Sequence, residues 1–112
     1  MVSGNINIMK FGIFYPFFRG HSHNRTYRKE PWLYDNNTLD IIRKSIILRY
    51  KLLPFIYTTF YLYYKLGTPI LRPTWFNNIG SEYLYGINNQ MLFGDSILIR
   101  PVVSLIEHER NE

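Results

Sequence analysis

FGIFYPFFRGHSHNRTYRKEPW, residues Phe11 to Trp32, crowds aromatics, arginines and two spaced histidines into a stretch that no packing rule demands. Phe14, Tyr15, Phe17 and Phe18 form an apolar segment suited to a buried strand end. Arg19, His21 and His23 follow at once, so polar groups emerge where such a strand would stop. Strands of an α/β barrel deliver side chains to the active-site face in this layout, which predicts an α/β fold with a strand over Phe11 to Phe18. Alternate residues of an extended strand share a side. Arg19, His21 and His23 would then face one way and Ser22 the other.

Length limits what this strand can belong to. A complete (β/α)8 barrel needs about 250 residues, and the chain has 112. Yet 46% of it is hydrophobic and 18% aromatic, the content of a buried core. Such a sequence wants neighbours, so the expectation is an incomplete domain with exposed apolar surface. The net charge of +5 beside ten tyrosines raises a nucleic-acid surface as a rival, with cations on phosphates and rings under bases. The basic residues are scattered, however, with no run longer than Arg28-Lys29 or Arg43-Lys44, which fits solvated faces better. There is no cysteine, hence no disulfide framework and no thiolate site. The start MVSGNINIMKF shows no secretory pattern. Two sequons occur, at Asn24 and Asn36, and Asn36 is the better candidate because Asn24 adjoins the histidines.

Further along, Asn37 or Thr38 can cap a helix. Leu39, Ile42, Ile46, Leu53, Ile56 and Phe60 then recur at three- and four-residue steps, with Gly67 as the stop. Pro54 cannot donate to the preceding turn, so a kink or a break into two helices is expected there. The uncharged run Leu52 to Tyr64 is too short to cross a membrane, which takes about 20 apolar residues. Thr68 to Phe76 reads as a strand with Pro73 limiting its pairing. A turn at Gly94-Asp95 then leads into an apolar strand from Ser96 to Ile99.

Three blocks of the chain resemble glycoside hydrolase family 31. The opening stretch is similar to the family's "GAFYPFFRAHAH…RREPW". ILRYKLLPFIYTTFYLYYKLGTPILRPTWF, from Ile47 to Phe76, is similar to "RYRLLPYWYTLFYEA…GxPVMRPLWYEF". INNQMLFGDSILIRPVV, from Ile87 to Val103, is similar to "DDQFLLGDALLVAPV". The order and spacing make the likeness specific. Asn7 and Ile8 stand where the family usually has Arg-Trp, Arg100 where it has alanine, and the pattern is lost after Val103. The resemblance implies the last part of a (β/α)8 barrel over residues 11–80. It implies the first strand of a C-terminal β-sandwich over residues 81–103, with residues 1–10 and 104–112 as edges of a truncated piece. The implied activity is retaining hydrolysis of terminal α-linked glucose by an α-glucosidase. Glu30, Pro31 and Trp32, with the paired histidines, lean toward members that trim N-glycans in the endoplasmic reticulum lumen. A maltose- or starch-type substrate is the rival. Implied partners are the glucose-terminated glycan, the rest of the catalytic chain and a β-subunit of the parent enzyme, with no cofactor, nucleic acid or membrane span.

Retaining cleavage needs two carboxyl groups, one a nucleophile and one an acid/base. None of the eight acidic residues lies in a setting like the family's "WxDMNEP" nucleophile segment, and the upstream acid/base has no counterpart either. Asp95 suits a turn, while Asp35 and Asp40 flank the helix start, where its dipole favours an anion. The resemblance instead assigns part of the sugar-binding shell. His21 matches the histidine of "RxHxH" that contacts glucose hydroxyls, and a neutral imidazole offers one donor and one acceptor to a hydroxyl. Arg19 is the second substrate-binding candidate, with either a pairing role toward an upstream carboxylate or a structural one, and His23 and Trp32 stand behind it. Trp75 is a further stacking candidate, although core packing explains such tryptophans as well. His21 and His23 alone are too few for a metal site, and the only other histidine is His108.

Overall fold

The computed structural model describes residues 9–21 and 23–101. The expectations for residues 1–8, Ser22, His108 and the tail from residue 104 lie outside the described residues. The chain forms two compact units, one up to Ile70 and one from Leu71 onward.

The first unit is organised by a single long helix, α1 (Asn36–Leu66). At ~1.5 Å per residue its 31 residues span about 46 Å. The cap is Asp35, two or three residues earlier than the sequence suggested. Its Oδ1 accepts the N–H groups of Asn37 at 3.0 Å and Thr38 at 3.1 Å, and its Oδ2 accepts the Thr38 hydroxyl at 2.6 Å. A carboxylate satisfies three donors at once and carries the charge that a helix N-terminus favours, so it prevails over the neutral candidates beside it. Those bonds, the Thr38 hydroxyl first, hold the Asp35 carboxyl below its ordinary pKa. At the other end Gly67 adopts φ 70°, and its N–H reaches the Tyr63 carbonyl at 2.8 Å. Only glycine takes that left-handed turn freely, which is why the helix stops there.

Of the two expectations for Pro54, the break into two helices does not occur; the helix runs through it. Proline leaves the carbonyl one turn back without its usual donor. Pro54 itself lies on an exposed part of the helix. Ile42 and Ile56 are buried, with Thr38 and Thr59, whereas Leu53 and Phe60 of the expected stripe are 42% and 39% exposed. Tyr50, Tyr57, Tyr61 and Tyr64 are also exposed.

Residues 11–18 are not a strand. Residues 9–12 are helical and 13–17 form turns and bends. Their backbone bonds are local, from Phe14 N–H to the Phe11 carbonyl at 3.2 Å and from Tyr15 N–H to the Gly12 carbonyl at 2.9 Å. A strand needs a ladder partner, and Pro16 removes one ladder donor in any case. The short helical turn Pro31–Leu33 then leads into the cap of α1.

The second unit is a three-stranded antiparallel sheet in the order β1 (Leu71–Arg72), β2 (Met91–Phe93) and β3 (Ile97–Ile99). Leu71 pairs with Phe93, and Phe93 with Ile97. Only two residues of the expected strand Thr68 to Phe76 are extended, because Pro73 ends the pairing and Thr74–Asn77 winds into a short helical turn. The hairpin loop is residues 94–96, so β3 begins one residue later than expected. Gly94, at φ 62°, makes that turn possible. Phe93 is fully buried and Ile99 is 6% exposed, while Leu98 on the opposite face is 55% exposed. Arg72 is buried too, its guanidinium 5.3 Å from the centre of the Phe76 ring and bonded to Asn77 Oδ1 at 3.2 Å.

Candidate functional site

Described residues between Met9 and Tyr34, with Ile42 of α1, line an open cavity of about 1020 Å³. All four residues singled out from sequence line it: Arg19, His21, His23 and Trp32. They meet there although the strand premise fails, since residues 18–21 have no regular structure. Arg19, His21 and His23 are exposed, and Trp32 presents 67% of its surface. Such a wall combines rotatable donors, imidazoles and a flat ring. It suits a polyhydroxylated ligand with an apolar face.

His23 is committed to its own loop. Its Nδ1 accepts the Arg25 N–H at 3.3 Å, which leaves Nε2 as the site of the proton in the neutral ring. Its carbonyl accepts the Thr26 N–H at 3.0 Å and the Thr26 hydroxyl at 2.7 Å. Arg28 and Glu30 form an ion pair at 2.9 Å on the same wall. The Glu30 carboxyl sits below its ordinary pKa, through its own backbone N–H first and the Arg28 bond second.

Arg49, on α1, is the residue that sequence reasoning missed. Its Nη1 donates to the carbonyls of Ile13 at 2.5 Å and Tyr15 at 2.8 Å, and its Nη2 to that of Pro16 at 3.4 Å. The guanidinium lies 4.9 Å from the centre of the Phe18 ring. A planar fork of donors can hold several carbonyls where one ammonium cannot.

The other candidates lie elsewhere. Asp95 accepts the Ser96 hydroxyl at 2.6 Å in the β2–β3 turn, and that bond is the first cause of its lowered pKa. Trp75 packs on Tyr85, with ring centres 5.8 Å apart. Among the described residues no group of three His, Cys, Asp or Glu could hold a metal ion. Among the same residues no helix is long and apolar enough to cross a membrane.

Comparison with known proteins gives this geometry its context. Residues 6–59 match the model of the glycosyl hydrolases family 31 TIM-barrel domain, and residues 67–111 that of the glycosyl hydrolase family 31 C-terminal domain. The cavity-lining residues from Met9 to Ile42 fall within the first match. Neutral alpha-glucosidase AB of Dictyostelium discoideum is 44% identical over 91 residues, covering 81% of this chain and 10% of that protein. The human protein of that name is 42% identical over 93 residues, 83% of this chain and 10% of its own length. Glucosidase 2 subunit alpha of Schizosaccharomyces pombe is 44% identical over 91 residues, 80% of this chain and 10% of its own. The chain thus spans about a tenth of the length of the curated relatives it matches. Two models of one family, in barrel-then-C-terminal order, together with these relatives, displace the nucleic-acid reading: the chain belongs to glycosyl hydrolase family 31.

Proposed function

We propose that this chain works as part of a retaining α-glucosidase that removes terminal α-linked glucose, and that it supplies one side of the glucose-binding shell. The observation that carries the reading is the convergence of Arg19, His21, His23 and Trp32 on one cavity within the barrel-matching region. His21 offers a donor and an acceptor to a sugar hydroxyl, Arg19 a fixed cation beside it, and Trp32 an apolar plate for a ring face. Bonds of this kind strengthen as the oxocarbenium-like transition state forms, so the shell contributes to rate as well as binding. The nucleophile and the acid/base come from other parts of the catalytic chain, since no acidic residue here lies in a setting like either. The part of the chain that matches the barrel domain acts as the last part of the (β/α)8 barrel, and the part that matches the C-terminal domain as the opening of the C-terminal β-sandwich.

The favoured substrate is the glucosylated N-glycan, which places the parent enzyme in the endoplasmic reticulum lumen with a β-subunit partner. Relatives named neutral alpha-glucosidase AB and glucosidase 2 subunit alpha support this choice. The test is hydrolysis of an aryl α-glucoside by the full-length enzyme carrying this segment, followed by NMR from the first turnover. α-Glucose should appear first, as a double displacement requires. β-Glucose first, or no hydrolysis, would refute the reading.

A further inference from the structure

We propose that Arg49 is a positioning residue for the sugar-binding wall, acting through the loop that carries Arg19 and His21. The inference rests on the glucose-shell reading above. Among the described residues, the backbone bonds of the loop from residue 13 to residue 18 are two short-range turns, and Pro16 has no N–H to give. A backbone carbonyl left without a partner is costly when half-buried. Arg49 satisfies three of these carbonyls from one guanidinium and closes over the Phe18 ring. The clamped residues end immediately before Arg19, and His21 follows two residues later. The donor is thus anchored on α1, the most regular element of its unit, and the loop it holds carries the side chains that face the cavity. Removing the clamp leaves the chemistry of His21 intact and frees its position, and a displacement of about 1 Å at a reacting group can cost about 100-fold in rate.

The experiment is a double-mutant cycle in the full-length enzyme, with kcat/KM on an aryl α-glucoside as the readout. Arg49→Met should lower kcat/KM about 10- to 100-fold in the parent background and less than about 3-fold once His21→Ala has removed the group being positioned. Arg49→Lys, which keeps the charge without the planar fork, should recover only part of the loss. Equal losses in both backgrounds, or no loss in either, would overturn the proposal. Hydrogen exchange supplies a readout independent of activity. Phe14 and Tyr15 amides should exchange faster in Arg49→Lys while amides of α1 keep their protection; unchanged or uniformly faster exchange would also overturn it. An enzyme with no glucosidase activity would sink the proposed function, and the exchange result would still decide whether Arg49 holds the loop.

Discussion

Truncating His21 and His23 separately should give unequal losses, and the structure sets the ratio. Both rings line the cavity, but their hydrogen bonds differ. His23 spends Nδ1 on the Arg25 N–H at 3.3 Å, a long and exposed bond. The stronger ties of its loop run from its carbonyl to Thr26, and alanine keeps that carbonyl. Losing only the long bond costs about 0.5 kcal/mol, the low end for a hydrogen bond, or roughly twofold in rate. His21 lines the cavity, and in the proposed function its ring bonds a sugar hydroxyl. Leaving a buried sugar hydroxyl unpaired in the transition state costs about 1–3 kcal/mol, or roughly 5- to 150-fold in kcat/KM. The assay is kcat/KM of both alanine variants on one α-glucoside, in full-length enzymes matched for folding by circular dichroism and melting temperature. His21→Asn, which retains a donor and an acceptor, should regain part of the loss. If His23→Ala were the more damaging variant, the sugar contact has been given to the wrong imidazole.

Two further outcomes follow from the helix and from the exposed rings. In a synthetic peptide of residues 33–53, the lowered Asp35 pKa makes capping fully effective above its ordinary value; capping is lost as pH falls through the depressed one. Helical ellipticity should therefore drop on acidification in an Asp40→Asn background, which silences the Asp40–Lys44 pair, and the drop should vanish in Asp35→Ala; a drop that survives would show that another group titrates. The 112-residue chain purified alone should not hydrolyse α-glucosides, because no acidic residue in it lies in a catalytic setting, and should not melt as a cooperative monomer, because Tyr57, Tyr61, Tyr64 and Trp32 are left exposed. Turnover abolished by changing one of its own acidic residues, or a sharp melt with a monomeric sedimentation profile, would contradict this.

What could be read from the letters alone was local. The body of α1 follows from its three- and four-residue apolar steps, and its end from Gly67, whose lack of a side chain permits φ 70°. The cap was ambiguous because Asp35, Asn37 and Thr38 are all good cappers within four residues, and only the three-way geometry of the carboxylate separates them. The misread strand at residues 11–18 has a different cause. A short apolar run is compatible with strand or turn until its backbone partners are known. Here the partners of three carbonyls sit on Arg49, more than thirty residues later, where no spacing rule reaches. That the four candidates line one cavity was legible because they lie within fourteen positions of one motif, Arg19 to Trp32. The residue that holds them was not.

The β2–β3 hairpin carries a lesson about how this chain can vary through descent. Its loop of residues 94–96 joins strands whose register sets Phe93 opposite Ile97. Side chains alternate between faces with a period of two, so gaining or losing one loop residue would turn the whole of β3 over. Leu98, now 55% exposed, would be driven toward the side where Ile99 is buried, and Ile99 would be turned out. Substitutions at residues 95 and 96 leave that arithmetic untouched. A lineage can therefore rewrite most of this turn letter by letter, keeping a glycine at 94, but not shift the pairing of its strands by a single residue.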